Sequence, residues 1–452
     1  MSAAISEPAA ARSAATEIVR TLRGAGHVAY FAGGCVRDEL LGLTPTDYDI
    51  ATDAEPRRLA EVFARTRGVG EHFGVMLVRV HGVDVEVATF RCDGAYTDRR
   101  RPDAVRFAGE IEDARRRDFT INALLLDPLE QGEEAGVRGR VIDHVGGRAD
   151  LAARIVRAVG DPDQRLREDH LRGLRGVRFA ARLGFGLESQ TAAAIARQAR
   201  ELQGVSRERV GEEVRRMLVH ATRGSAARML EELGLDEHVL GDGHMVSGAG
   251  RIAAIRAPHM TRGAVMDLGV QSRAAAAAEG ASPAERLASE DVPRVSFAMA
   301  LAAWMMDRHG EDAITEASIA RTRSALCLSN EETSALRAIG RQRAALPRKF
   351  LEASIAKSKR QAATPGFVEA MGVLAVSNAA DAAEIWARVA DISGVGGGIA
   401  PWPLLTGDDL VALGKRPGPR FKRVLEAVYD AQLEGRTTTK NEALELSRTL
   451  GV

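Results

Sequence analysis

Apolar residues take up helical spacing near Leu151 and keep it to the C-terminus, and this break constrains the fold more than any other feature of the sequence. DHLRGLRGVRFAARLGF (169–185), TAAAIARQARELQ (191–203), SRERVGEEVRRMLVHA (206–221) and AARMLEELGL (226–235) all carry the helical period. Ser206 stands as an N-cap candidate ahead of the third of these. SFAMALAAWMM (296–306) resumes it after a glycine- and alanine-rich stretch, 241–294, whose weak periodicity reads as partly mobile.

Before Leu151 the pattern is different. Residues 10–24 predict one helix, stopped at Gly24-Ala25-Gly26. VAYFAGG (28–34) is a short apolar strand running into glycines, and ALLLDP (123–128) and RVIDHV (140–145) are two further strand candidates. GVMLVRV (74–80) and VDVEVATF (83–90) predict a hairpin turned at His81-Gly82. The expectation is an α+β head with a mixed β-sheet, followed by an all-α remainder. GVGGGIAPWP (394–403) reads as a linker before a compact tail.

The chain has 452 residues, room for about three domains. Aromatics are only 4% and alanine dominates the aliphatics, which favours helices over β-sandwiches. No run of about 18 apolar residues predicts a membrane span, and the start, MSAAISEPAAARSAATE, lacks the form of a secretory signal. Cys35, Cys92 and Cys327 show no CxxC spacing, so reduced thiols in a cytoplasm are expected. The net charge of zero weighs mildly against a nucleic-acid enzyme, yet arginine is concentrated locally. Arg91, Arg99, Arg100, Arg101, Arg106, Arg115, Arg116 and Arg117 form one cluster, and Arg165, Arg167, Arg172, Arg175, Arg178 and Arg182 another.

GGCVRDELLGLTPTDYDIATD (33–53) carries chemistry. Gly33-Gly34 after a strand lets backbone approach a phosphate closely, and Arg37 on the following helix can add a charge-assisted bond. On a strand, Asp47 and Asp49 project to one face, where two carboxylates call for a cation such as Mg²⁺. Glu86 is the best strand candidate for a third carboxylate. Such a set would activate a hydroxyl and steady a pyrophosphate leaving group. Each signal alone also fits a turn, a solvated edge or a surface ion pair.

In order, GG-x-VRD-x-LLG-x-x-x-x-D-x-D resembles the signature of class II tRNA nucleotidyltransferases and bacterial poly(A) polymerases, a branch of the polymerase-beta superfamily. EVATFR (86–91), YTDRRRPDAVRF (96–107), RRDFTINALLLDP (116–128), the hinge and neck over 142–185, and SRERVGEEVRRML (206–218) follow in the family's order. PLLTGDDLVALGKRPGPRFKRVLEAVYDAQLEG (403–435) resembles the tail of many bacterial CCA-adding enzymes.

The resemblance implies roles. Asp47 and Asp49 match the metal-binding aspartates and Glu86 the third acidic position; Gly33, Gly34 and Arg37 lie where the family holds the nucleotide's phosphates. Arg117 and Asp118 match the pair that contacts the incoming nucleotide and favours a ribose. Asp169 and Arg172, in REDHLR, match the residues that read the base edge of ATP or CTP. Taken as one helix, Asp169, Arg172 and Arg175 face one cleft, with Arg178 a further step of about 60° round. The competing reading of that stretch is an i, i+3 ion pair on a solvated helix.

The arginine-rich loop at 91–110 matches a flexible element that helps re-shape the pocket from C to A specificity. Thr46 stands where the family often has lysine. LAAWMMD (301–307) has Met306 where many relatives carry a metal-binding histidine, so no metal chemistry is expected there. The implied organisation is a catalytic head over 1–147, a neck over 148–222, a body over 223–393 and a tRNA-binding tail over 394–452. The implied activity is Mg²⁺-dependent addition of C, C and A to tRNA 3′ ends from CTP and ATP. The alternatives are a poly(A) polymerase, an A-adding-only enzyme and an inactive RNA-binding relative.

Overall fold

A computed structural model describes residues 7–70, 74–93, 105–134, 136–245, 247–256, 295–415 and 418–451. Arg99–Arg101 and residues 257–294 of the glycine- and alanine-rich stretch lie outside the described residues. The chain divides into two compact units.

In the first unit, helix α1 (Glu7–Gly24) leads into β1 (Ala29–Ala32), α2 (Gly34–Leu40), β2 (Asp49–Thr52) and α3 (Pro56–Val62). Strands β3 (Thr66–Gly70), β4 (Val75–Val80) and β5 (Val83–Thr89) follow, then β6 (Arg91–Asp93), β7 (Val105–Phe107), α4 (Glu110–Arg115) and β8 (Leu125–Asp127). β9 (Glu133–Glu134), β10 (Val137–Arg138), β11 (Arg140–Ile142) and α5 (Gly147–Ala153) complete the head. Seven strands make one sheet in the order β11-β8-β1-β2-β5-β4-β3. All its neighbours are antiparallel except β2 and β5, so the sheet is mixed, as expected.

The hairpin forms where the alternation predicts it. His81 and Gly82 both take positive φ, 51° and 85°, the turn geometry whose twist matches paired strands. Along β5, Val85, Val87 and Thr89 are buried while Asp84 and Glu86 face solvent. β1 is buried throughout, consistent with its unbroken apolar run. Phe31, Ile50, Val78, Val87, Ile121 and Leu126 are among the residues of the core cluster against which α1 packs Ile18 and Leu22. Part of the arginine-rich loop is a ribbon: Arg91–Asp93 pairs with Val105–Phe107, three residues a side and too short to show a period.

The same unit continues into α6 (Pro162–Glu168), α7 (Leu171–Leu183), α8 (Ser189–Arg197) and α9 (Arg207–Leu218). Asp161 caps α6 by accepting from the Gln164 amide at 2.7 Å, with Pro162 at the first helical position. Gly176 sets how close α7 comes to the head segment after Arg117-Asp118. A Cβ there would lie 3.0 Å from the Phe119 ring, which packs edge-on against Phe179 at 5.9 Å.

The second unit is helical. Phe297–His309 is buried along nearly its whole length, and Ser296 caps it through the Met299 amide. Glu316–Leu326 and Asn330–Ala345 both start with capping boxes, Thr315 with Ser318 and Ser329 with Glu332. Residues 394–403 carry no helix or strand, but Lys359 Nζ donates to the Val395 carbonyl, so the expected linker is tied down at its start. Beyond it, Leu405, Leu410, Phe421, Val424, Val428 and Ala443 form a small core of their own.

Candidate active site

The site begins at the end of β1. Gly33 takes φ 76° and ψ −121°, a region that side chains disfavour, and its amide donates to the Leu124 carbonyl at 3.0 Å. A Cβ on Gly33 would lie 3.0 Å from Arg117 Nη1. The turn is therefore glycine for two reasons, conformation and the guanidinium beside it. Gly34 opens α2, a helix of seven residues, so its pull on an anion comes from local amides rather than a long macrodipole. Arg37 is buried. It donates to Asp38 Oδ1 from Nε at 2.8 Å and to Asn122 Oδ1 from Nη1 at 2.5 Å, and its guanidinium lies 5.3 Å from the Phe179 ring centre. Through these partners Arg37, the residue expected to add a charge-assisted bond to a phosphate, braces the glycine turn.

Three carboxylates stand near one another on the exposed face of the sheet. Parallel pairing of Ile50 with Val87 sets Asp49 beside Glu86. Only Asp49 is on the strand; Asp47 precedes it in irregular backbone, with buried Tyr48 between, so the in-out alternation still runs through both aspartates. Protein packed around Asp49, then the charges of Glu86 and Asp47, push its pKa up to about 7, with Arg117 pulling the other way. Glu86 is raised too, by its surroundings first and Asp47 second. Thr46 Oγ1 donates to Asp47 Oδ1 at 3.1 Å. Among the described residues no three His, Cys, Asp or Glu side chains are set closely enough to hold a metal ion. The donor chemistry nonetheless fits a hard cation: carboxylate oxygens crowded together, with Asp49 and Glu86 raised in pKa by burial and by the neighbouring negative charges that a cation would offset.

Arg117 and Asp118 close one side. Arg117 donates to Asp113 Oδ2 from Nε and Nη2 at 3.2 and 3.0 Å, and to the Asn122 carbonyl at 3.1 Å. Asp113 also takes Arg116; burial alone would raise its pKa, but Arg117 and Arg116 bring it below the usual range. Asp118 accepts from the Phe119 amide at 2.8 Å, from Asn122 Nδ2 at 3.2 Å and from Arg175. Burial works against its charge, but Arg175, Asn122 and Arg172 prevail and hold it at about 2.

The REDHLR stretch forms the other side, with a correction to its geometry. Asp169 does not belong to a helix with Arg172. Its backbone is extended, φ −155° and ψ 104°, at the joint between α6 and α7, so the angular argument holds only from Arg172 onward. The i, i+3 ion pair is not made either. Asp169 pairs with Arg209 of α9, at 2.6 Å, and Arg172 pairs with Glu168 at 2.5 Å. Glu168 also takes Arg165, whose Nη2 and Nη1 reach the Arg115 and Arg116 carbonyls at 2.7 and 3.2 Å. Arg175 goes to Asp118. Arg178 turns to Glu213 at 2.6 Å and lies 4.3 Å from the Phe179 ring centre, and burial lowers its pKa.

Reading by residue type missed the partners: Asp113, Asn122, Glu168, Arg209 and Glu213. All but Asp113 sit inside the quoted motifs, and the signal available was position alone. Of the two arginine clusters, Arg116, Arg117, Arg165, Arg172, Arg175 and Arg178 are thus each compensated by a nearby acid.

In the second unit, Met306 is buried and Asp307 accepts the Arg251 and Ile252 amides at 2.9 and 3.0 Å, so its carboxylate closes the start of a short helix (Gly250–Ala254). His309 is at the exposed end of its own helix.

The chain is similar to known proteins over much of its length. The family model described as "Poly A polymerase head domain" matches residues 29–157, and that described as "Probable RNA and SrmB- binding site of polymerase A" matches 184–243. The CCA-adding enzyme of Geobacillus kaustophilus is 39% identical over 246 residues, 54% of this chain and 59% of that protein. The CCA-adding enzyme of Lacticaseibacillus paracasei is 45% identical over 213 residues, 46% of this chain and 51% of that protein. The chain therefore matches somewhat over half the length of these curated relatives. The crystal structure of the Bacillus stearothermophilus CCA-adding enzyme in complex with CTP superposes with a TM-score of 0.69 at 27% identity, over 97% of this chain and 98% of that one. The Thermotoga maritima CCA-adding enzyme complexed with tRNA, at 18% identity and a TM-score of 0.64, shares the fold. The chain is thus similar to poly(A) polymerases and CCA-adding enzymes, with the two family models following in order over residues 29–157 and 184–243.

Proposed function

We propose that the chain is a CCA-adding nucleotidyltransferase that extends tRNA 3′ ends with C, C and A from CTP and ATP, releasing pyrophosphate. The observation that carries it is the pairing of β2 with β5, which sets Asp49 beside Glu86 at the mouth of the Gly33 turn. Relatives and solved neighbours named as CCA-adding enzymes support the choice of reaction.

Asp47 and Asp49 would hold Mg²⁺, which supplies Lewis acidity and charge neutralisation when bound. Glu86 is the third acid of the set, placed to accept the proton of the attacking ribose 3′-hydroxyl. Gly33 and Gly34 leave room for the triphosphate. Arg117, beside Gly33 and within the field of Asp49, offsets negative charge there. Asp118, ionised and fixed by Arg175 and Asn122, offers an acceptor to a ribose hydroxyl. Asp169 and Arg172 read the base edge, with Arg175 and Arg178 behind them as the nucleotide pocket's cationic support. Residues 148–222 act as the neck, 223–393 as the body and 394–452 as the tail, the latter two binding tRNA by shape and phosphate contacts. The place of action is the cytoplasm.

The test is incubation with tRNA lacking its CCA and with unstructured RNA, supplying CTP and ATP separately and together. Three additions that stop at CCA on tRNA alone are the expected outcome. A long A tract on either RNA would make the chain a poly(A) polymerase, and A added only to tRNA already ending in CC an A-adding enzyme.

A further inference from the structure

Resting on the reading of Asp169 as a base-reading group, we infer that Arg209 is the positioning residue that sets which bases Asp169 can accept. Asp169 lies in extended backbone between α6 and α7, where no helix fixes its side chain. Its carboxylate is fixed instead by three hydrogen bonds. The Leu171 amide donates to Oδ1 at 3.1 Å, Arg209 Nη1 to Oδ1 at 3.2 Å, and Arg209 Nη2 to Oδ2 at 2.6 Å. A carboxylate offers ~four lone-pair sites. These bonds fill Oδ1 and leave one acceptor, on Oδ2.

Cytosine and adenine both present an exocyclic amino donor on the pairing edge; uracil and guanine present an oxygen there. A single fixed acceptor bonds the first two and leaves the other two with oxygen facing oxygen, unpaired and desolvated. The forked guanidinium matters because it fixes the carboxylate plane as well as its charge. Arg209 does a second thing. With Glu168 holding Arg172, it keeps Asp169 from closing onto Arg172, a pairing that would consume the acceptor and the donor of the base-reading set together.

The test measures kcat and KM for each of CTP, ATP, UTP and GTP on tRNA transcripts ending before and after CC, with the full chain. The variants are Arg209→Ala, Arg209→Lys, Asp169→Ala and the Arg209→Ala/Asp169→Ala double; Arg209→Gln replaces Arg209→Ala if thermal melting shows the alanine form unfolded. Arg209→Ala should lower the CTP-over-UTP and ATP-over-GTP ratios of kcat/KM by about tenfold or more, chiefly through KM for the correct nucleotide. Arg209→Lys should recover part of that loss, and the double variant should be no less selective than Asp169→Ala alone. Unchanged ratios in Arg209→Ala beside collapsed ratios in Asp169→Ala would overturn the positioning role and leave base reading by Asp169 standing. Losses that multiply in the double variant would do the same. Intact ratios in Asp169→Ala would remove both.

Discussion

Arg175 donates to Asp118 Oδ2 from Nε and Nη2, at 2.8 and 2.6 Å, and so joins the turn that follows the Arg116-Arg117 pair to helix α7. The bond has a consequence for stability as well as for the site. Asp118 is held at about 2, below its ordinary 3.8, so the folded state favours its charged form. That contribution is complete above about pH 4 and is lost as pH falls toward 2. The difference is on the order of 2 kcal/mol. Denaturant melts between pH 5 and 2 should show that slope, and Asp118→Asn should flatten it. An unchanged slope in the variant would remove the pair from the account.

Asp49 is the charge the site holds against repulsion. Asp49→Asn removes one of the mutually repelling carboxylates, so the metal-free protein should melt no lower than the parent. Nucleotide transfer should fall by roughly a thousandfold or more, since a bound metal supplies several kcal/mol of charge stabilisation. A thermal melt and a single-turnover assay on the same preparation check both halves.

Gly33→Ala puts a methyl group in a backbone conformation that disfavours it and 3.0 Å from Arg117 Nη1. The cost should be roughly 1–3 kcal/mol of stability. Gly34→Ala, whose Cβ would meet only Arg37 Nη2 at an ordinary 3.7 Å, should cost far less. Urea unfolding of the two variants side by side separates them.

Arg178 and Glu213 are both buried and bonded at 2.6 Å. Arg178→Met alone should destabilise by roughly 3–5 kcal/mol, because it leaves the buried Glu213 carboxylate with only the more distant Arg216, at 3.9 Å, among the described ion pairs. Arg178→Met with Glu213→Leu should recover most of that loss. Calorimetry checks the stability. Nucleotide KM in the double variant then shows whether Arg178 also serves the pocket: a rise of several-fold keeps it in the binding set, and an unchanged KM makes it purely a support.

Asp307 offers a check on the second unit. Its carboxylate takes the Arg251 and Ile252 amides, so Asp307→Ala should lower stability by about 1 kcal/mol, as for loss of a helix cap. Thermal unfolding with and without the substitution measures it.

Much of this architecture is legible in the sequence because period and punctuation report it directly. Val85, Glu86 and Val87 alternate as a half-exposed strand must, and His81-Gly82 marks the turn. What stayed hidden is tertiary. Nothing local in REDHLR announces a break at Asp169, since no glycine or proline stands there; the break is held by its own bond to Leu171 and by Arg209 from another helix. Glu168 and Glu213 read as ordinary helix-surface acids until their arginine partners are seen. The ribbon at Arg91–Asp93 is too short to show a period at all.

The parallel pairing of β2 with β5 also limits how such a chain can tolerate insertions and deletions. Residues between the two strands can be added or lost in loops without moving Asp49 relative to Glu86. A one-residue shift inside either strand is different: it would turn its acid into the core and bring a buried side chain to the surface. Loop length is free, and strand phase is not.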